Sequence, residues 1–327
     1  MIEPTPVQGE ATHAFRRLVD NVELVIAGNS EAVRTAAICL LADGNLLLEG
    51  VPGVGKTTLA RALARSIGGE FSRIQATPDL LPSDMTGISV YDQANGVFRF
   101  VPGPVFANVV LVDEINRTTP RTQSALLEPM EERQVTVEGT TYPLPTPYVV
   151  IATENPVEQH GTYPLPEGQL DRFAMTVQVG YPQGAMASDI VRRQLLDHPL
   201  RDLEAVLTPE DVLAAQRAAR AVHVDDAVLE YVVDLVDATR EAPEVALGAS
   251  PRSTVALTRC AQARAVSEGR DYVLPDDVKS LAPAVLAHRL IPRQARSGAE
   301  VGRRVVGRIL DEVAVPLHVA GHGSGRG

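Results

Sequence analysis

Gly50-Val51-Pro52-Gly53-Val54-Gly55-Lys56-Thr57-Thr58 is the stretch from which the rest of this chain is read. Its first eight residues keep the spacing G-x-x-x-x-G-K-[ST] of a phosphate-binding loop. The context fits. Leu46-Leu47-Leu48 upstream is short and apolar, as a buried strand is, and the run from Thr58 to Ala64 favours helix. A strand, a glycine loop and a helix in that order turn backbone N–H groups and a helix N-terminus toward one anion. Glycines at 50, 53 and 55 let the backbone approach phosphates with no Cβ in the way. Lys56 is then expected to reach the β- and γ-phosphates, and the Thr57 hydroxyl to coordinate Mg²⁺. A chance glycine-rich turn would need neither flank.

Working outward, Val109-Val110-Leu111-Val112 is a β-branched apolar run that predicts a central parallel strand. It leads straight into Asp113-Glu114. Carboxylates at the C-terminal tip of such a strand fall beside the phosphate loop of its neighbour. Asp113 is expected to hold Mg²⁺ and Glu114 to orient and polarise an attacking water, a division that favours ATP hydrolysis over kinase or GTPase-switch chemistry. The competing reading is a solvated acidic loop, which leaves the four apolar residues before it unexplained.

With 327 residues the chain exceeds one typical core and predicts about two domains. Its 45% apolar and 22% charged residues are those of a soluble globular protein. No apolar run approaches the roughly 20 residues of a membrane span. The start, Met1-Ile2-Glu3-Pro4-Thr5-Pro6, lacks the basic and apolar regions of a secretory signal. Cys39 and Cys260 sit singly in helical patterns and predict core filling, not a disulfide framework. The compartment these features predict is cytoplasmic. A formal net charge of −11 argues against broad nucleic-acid affinity, although a local basic pore stays open.

Residues 1–12 predict a loose segment, and residues 13–182 a doubly covered α/β core. Its strands are expected near 45–50, 71–75, 109–113, 148–153 and 174–179, preceded by two helices broken at Gly28-Asn29-Ser30. Thr119-Pro120 opens a helix, with Thr as cap and Pro at the first position. Two hairpins interrupt the alternation, at about 87–101 around Asn95-Gly96 and at about 133–147 around Gly139. Residues 183–318 predict a helical domain. Within it Thr208-Pro209, Ser250-Pro251 and Leu274-Pro275 each open a helix, and Val228, Leu229, Val232, Leu235 and Val236 share one face. The glycine-rich residues 319–327 predict disorder.

A phosphate-loop α/β domain followed by a helical lid is the layout of the AAA+ ATPases. Four further words narrow it: Thr77-Pro78-Asp79-Leu80-Leu81-Pro82-Ser83-Asp84, Asp113-Glu114-Ile115-Asn116-Arg117, Leu126-Leu127-Glu128-Pro129-Met130-Glu131-Glu132 and Thr162-Tyr163-Pro164-Leu165-Pro166-Glu167. Together they resemble the MoxR family, within the AAA+ branch that includes magnesium chelatase ATPase subunits, over most of residues 15–315. The hairpins resemble that branch's helix-2 insert and pre-sensor-1 hairpin. The resemblance implies a five-stranded parallel sheet, ATP and Mg²⁺ as cofactors, and a homo-oligomeric, hexameric ring.

The resemblance also assigns roles that spacing leaves open. Asn155, by spacing alone an amide capping a loop, matches sensor 1, which senses the γ-phosphate. Arg172 in Leu170-Asp171-Arg172-Phe173 matches the arginine finger, which serves a neighbouring subunit's ATP; by spacing alone it is a surface Arg paired with Asp171 or Glu167, and an acid can hold a finger until ATP arrives. Arg252, on an opening helix turn where a cation opposes the dipole, matches sensor 2. Ile26-Ala27-Gly28 resembles the adenine-pocket segment. Two departures are His160, where relatives often carry an acid, and Gly168, a poor helix former on the element that carries Arg172.

The activity expected is ATP hydrolysis in a ring that remodels or matures partner proteins, for example by complex assembly or by inserting a metal or cofactor. Its implied partners are a separate von Willebrand factor A domain protein and a client enzyme. A nucleic-acid motor competes, as does a chelatase-type subunit, but the hairpins offer only Arg99 and Arg133 against Asp92, Glu131, Glu132 and Glu138. A nucleotide-gated scaffold with little turnover is a third reading, which the intact Glu114 opposes.

Overall fold

The computed structural model describes residues 6–26, 28–51, 53–155, 161–181, 200–293 and 298–316. They divide into two compact units, one of residues 14–213 and one of residues 1–13 with 214–327.

The first unit is built on β1 (Asn45–Glu49), β2 (Phe71–Gln75), β5 (Val109–Asp113), β8 (Val149–Glu154) and β9 (Phe173–Gln178). All pair in parallel, in the order β2-β5-β8-β1-β9. β1, β5 and β8 are apolar on both faces because both faces are covered, as parallel sheets require. Alternate residues divide between the two sides. Leu46, Val109, Val149 and Ile151 face Ala36, Cys39 and Leu40 of α2 (Ser30–Leu41) and Leu63 of α3 (Lys56–Ser66). Leu47, Val110, Val112, Val150 and Ala152 pack on the opposite side with Met85, Val105, Ile115, Leu126 and Met130. Truncating one of these leucines to alanine would cost about 2–5 kcal/mol. Cys39 is buried in that core, as the sequence leads one to expect.

The two expected hairpins form. β3 (Gly87–Asp92) pairs with β4 (Val97–Pro102), and β6 (Gln134–Val137) with β7 (Thr140–Pro143). They touch where Phe100 stacks on Tyr142, ring centroids 4.1 Å apart. α4 (Pro82–Thr86) leads into the first hairpin, and a 3₁₀ turn at Ile115–Arg117, α5 (Pro120–Ser124) and α6 (Leu127–Glu132) lie between β5 and the second. α5 opens on Thr119, whose hydroxyl accepts from Thr122 N–H. α7 (Glu167–Leu170) forms despite Gly168.

Two boundaries differ from expectation. The N-terminal segment is helical from Pro6, since α1 runs Pro6–Glu23; Pro suits a first helical position, and the Thr12 hydroxyl donates to the Val266 carbonyl at 2.7 Å. Residues 200–213 belong with the α/β unit, not with the lid, because the Val206 and Leu207 N–H groups both bond the Ser66 carbonyl at the end of α3 (2.9 Å each). The expected division at 182/183 and the expected disorder of 319–327 fall at or within segments outside the described residues, as does His160.

The second unit holds most of α8 (Pro209–Arg220), then α9 (Asp226–Glu241), α10 (Pro251–Ser267), α11 (Pro275–Leu286) and α12 (Gly298–Glu312). A short antiparallel pairing of β10 (Val245–Leu247) with β11 (Ile291–Pro292) joins the helices. α9 buries Val228, Val232, Leu235 and Val236, whereas Leu229 at the edge of that face stays 38% exposed. The start of α11 is pinned by Asp277, which accepts Leu274 N–H and pairs with Arg270 through both oxygens. Cys260 is buried in α10, and burial pushes its thiol up to about 12.

Candidate functional site

The glycine loop leaves β1 and enters α3. A Cβ at Gly50 would stand 2.5 Å from the Val179 carbonyl, so the loop lies flat against the end of β9 only with glycine there. Gly53 and Gly55 hold φ of +82° and +97°, a region glycine enters without strain. Gly55 is the cap residue of α3, which places Lys56, Thr57 and Thr58 on its first turn. Lys56 is 8% exposed; its ammonium donates to the Gly50 carbonyl and, at 3.1 Å, to the Glu154 carbonyl. Val51 and Val54 complete the described part of the loop, while Pro52 lies outside the described residues.

β8 lies between β1 and β5, so its tip is flanked by the glycine loop on one side and by Asp113-Glu114 on the other. Thr153 is fully buried there and links both acids. Its hydroxyl donates to Asp113 Oδ1 at 2.6 Å and accepts Glu114 N–H at 2.8 Å. Asp113 Oδ2 accepts the Thr57 hydroxyl at 3.1 Å and the Arg73 guanidinium at 2.6 Å. Burial raises the Asp113 carboxyl, but the hydrogen bonds from Thr153, Arg73 and Thr57 and the charge of Arg73 outweigh it and hold it below the usual carboxylate range. Thr57 Oγ1 and Asp113 Oδ2 are therefore adjacent hard oxygen donors, one of them anionic, which fits a hydrated Mg²⁺.

Glu114 adopts φ +58°, ψ +49°, left-handed for a residue with a side chain. Such backbone costs of order 1–3 kcal/mol and is held here by the Thr153 bond. Its carboxylate takes Arg117 Nε at 2.9 Å and the Gln75 amide at 3.3 Å. Asn155 follows β8 and is 4% exposed. Glu154 sits opposite Glu49 in register; burial and the Glu49 charge push it up to about 7, against the opposing pull of Lys56.

Arg172 lies between α7 and β9. Nε and Nη2 each reach Glu131 Oε2 at 2.9 Å, and Nη1 donates to the Gly168 carbonyl. The acid holding this Arg thus comes from α6. Asn45, at the start of β1, ties the two elements together: its amide donates to the Met130 carbonyl at 3.3 Å and the Arg172 carbonyl at 3.5 Å, while its oxygen accepts Val150 N–H at 3.0 Å. Gly28 (φ +84°) and Ile26 flank Ala27, which lies outside the described residues. Asn29 beside them donates to the Gly180 carbonyl at 3.5 Å, just past the strand end against which Gly50 packs. Arg252 belongs to the second unit, exposed on the first turn of α10 behind Ser250 and Pro251.

The structure brings Lys56, Thr57, Asp113 and Glu114 to neighbouring strand tips. Arg73, Gln75, Thr153, Arg117, Glu131 and Asn45 are additions that sequence reasoning did not single out. The one available signal was a hydroxyl, Thr153, following the four apolar residues that open β8. Among the described residues no group of three or more His, Cys, Asp or Glu is placed to hold a metal ion, and no helix is long and apolar enough to cross a membrane.

Known proteins resemble this chain over most of its length. The family described as "ATPase family associated with various cellular activities (AAA)" matches residues 45–175, and the AAA lid domain matches residues 237–309. YeaC of Bacillus subtilis is 48% identical, over 92% of this chain and 94% of that one. Chaperone MoxR1 of Mycobacterium tuberculosis is 42% identical, over 93% and 83%, and Protein MoxR of Methylorubrum extorquens 33%, over 93% and 95%. The crystal structure of a protein from Cytophaga hutchinsonii assigned as an ATPase superposes with a TM-score of 0.86 at 39% identity, over 95% of this chain and 97% of that one.

Proposed function

Because the chain belongs to the MoxR family of AAA+ ATPases, we propose that its ATP hydrolysis requires Mg²⁺, takes place in a hexameric ring and drives chaperone-like remodelling of partner proteins in the cytoplasm. The observation that carries the hydrolytic part is the Thr153 hydroxyl, which fixes Asp113 and Glu114 in one geometry next to Thr57.

In this reading the loop N–H groups, Thr58 and the first turn of α3 bind the phosphates, and Lys56 leaves its carbonyl partners for the β- and γ-phosphates. Thr57 and Asp113 would hold Mg²⁺, which supplies charge neutralisation at the phosphate oxygens. Glu114 takes the proton from the attacking water, once its carboxylate is released from Arg117 and Gln75. Asn155 orients that water or the γ-phosphate. Ile26, Ala27 and Gly28 border the adenine, and Arg252 reads the γ-phosphate from the lid.

Arg172 acts on the ATP of the adjacent subunit. Glu131 holds it until that nucleotide is in place, since a charge-assisted pair keeps the guanidinium in one orientation. Mixing tests this: Lys56→Ala and Arg172→Ala proteins are each inactive alone, and mixed rings recover part of the turnover because the Lys56→Ala subunit supplies an intact finger. No recovery on mixing contradicts a finger that acts in trans.

The client surface we propose is the β3–β4 hairpin, where Phe98 is 70% and Tyr91 52% exposed and their rings lie side by side, centroids 5.2 Å apart. A von Willebrand factor A domain protein and an immature client enzyme are the partners expected. Capture on ATP-loaded Glu114→Gln protein, compared with Lys56→Ala, reads this out. Enrichment of nuclease-sensitive nucleic acid would instead favour a motor.

A further inference from the structure

The carboxylate assigned to the metal is already paired with a cation of the chain itself. Asp113 has two oxygens. Oδ1 is taken by the buried Thr153 hydroxyl at 2.6 Å. Oδ2, the oxygen that meets Thr57 Oγ1 at 3.1 Å, takes Arg73 Nη2 at 2.6 Å. A hydrated cation placed between Thr57 and Asp113 uses that same Oδ2 as acceptor for its water, and a dication there repels a guanidinium held at contact distance from the same oxygen.

We propose that Arg73 is an internal counter-cation for Asp113 that magnesium must displace, so that Arg73 sets the magnesium requirement of nucleotide binding. The inference rests on the reading that Thr57 and Asp113 hold the metal.

Three observations support it. The pair is asymmetric: the Arg73 side chain is 40% exposed and that of Asp113 9%. The guanidinium can therefore move into water at little cost, whereas the carboxylate stays where Thr153 and Thr57 hold it. The strand register makes the arrangement durable. β2 pairs with β5 so that Gln75 lies opposite Asp113, and Arg73, two residues earlier on the same face, reaches diagonally to it. Finally, Arg73 has a second acceptor in Gln75 Oε1 at 3.0 Å, which retains the displaced guanidinium at the rim of the site.

The physical consequence is a trade. With no metal, Arg73 keeps a buried carboxylate paired and the loop region intact. When metal and nucleotide arrive together, part of their binding free energy is spent breaking that pair. Arg73 is thus a positioning residue whose removal should make metal binding easier, the opposite of what loss of a phosphate-binding Arg would do.

The test is magnesium titration of a fluorescent, non-hydrolysable ATP analogue bound to the full chain, with wild type, Arg73→Gln, Arg73→Lys and Asp113→Asn. A charge-assisted hydrogen bond of ordinary strength corresponds to about a tenfold change. Arg73→Gln is expected to lower the magnesium concentration for half-maximal binding by about tenfold, while Arg73→Lys, which keeps the charge, stays near wild type. An unchanged or raised midpoint in Arg73→Gln overturns the proposal. Asp113→Asn is expected to raise the midpoint. If it leaves the midpoint where it was, the metal assignment itself fails and takes the proposal with it, an outcome separate from failure of Arg73 alone.

Discussion

Glu154→Gln is expected to stabilise the nucleotide-free protein, and to do so more at high pH than at low. Glu154 ends β8 directly opposite Glu49, which is itself buried at the end of β1. Burial and that neighbouring charge raise the Glu154 carboxyl from an ordinary 4.5 to about 7, despite Lys56 nearby. Below the unfolded value both states keep the proton, so the group contributes nothing to stability. Between 4.5 and about 7 the folded chain holds a proton that the unfolded chain has released. Stability therefore falls as pH rises through this window and levels off above it. At about 1.4 kcal/mol for each pH unit, the penalty reaches roughly 3 kcal/mol at about pH 8 and is roughly 1 kcal/mol at about pH 5.5. Part of this is screened, because Glu154 is half-buried, so the measured difference is expected at about 1–2 kcal/mol. Gln keeps the shape of the side chain and carries no titrating charge. Thermal or urea unfolding of both proteins across this range should show the advantage of Glu154→Gln growing by about that amount. An advantage that is constant with pH, or that shrinks as pH rises, refutes the reasoning.

Other substitutions probe the remaining contacts. Thr153→Val keeps the volume but leaves Glu114 N–H unpaired and removes a donor to Asp113; it should cost about 2 kcal/mol or more by denaturant unfolding, with Thr153→Ser close to wild type. Asn45→Leu strands Val150 N–H and frees Met130 and Arg172; stability should fall by about 2–4 kcal/mol and turnover should drop while nucleotide affinity, read by fluorescence titration, holds. Lys56→Ala should weaken nucleotide binding, whereas Arg172→Ala should bind normally and lose about 10³-fold or more in turnover, measured by phosphate release.

Much of the α/β unit was legible because its signals are local. A four-residue apolar run with acids at its end, or glycines at fixed offsets before Lys56, carries its meaning within one strand or loop, and the five strands fall within a residue or so of where the apolar runs put them. The hairpins were equally local, marked by Asn95-Gly96 and Gly139. The site's supporting contacts were not. Arg73 meets Asp113 across 40 residues and Asn45 meets Arg172 across 127, and both depend on the strand order β2-β5-β8-β1-β9 and its register, which no single stretch encodes. Arg172 was legible as an Arg in need of an acid, but Glu131 is 41 residues away, whereas Glu167 and Asp171 were close in sequence. At the N-terminus, prolines suggested a loose segment, yet Pro6 opens a helix because the first turn has no partner for its N–H in any case.

The most direct test is ATP turnover by Glu114→Gln beside wild type, with ATP binding measured on the same samples. The amide keeps the side chain's shape and its place near Arg117 and Gln75 but accepts no proton from water. Binding should stay within a few-fold of wild type, and turnover should fall by about 10²–10⁴. Turnover at the wild-type rate in Glu114→Gln would show that the chemistry is done elsewhere and contradict the site as assigned.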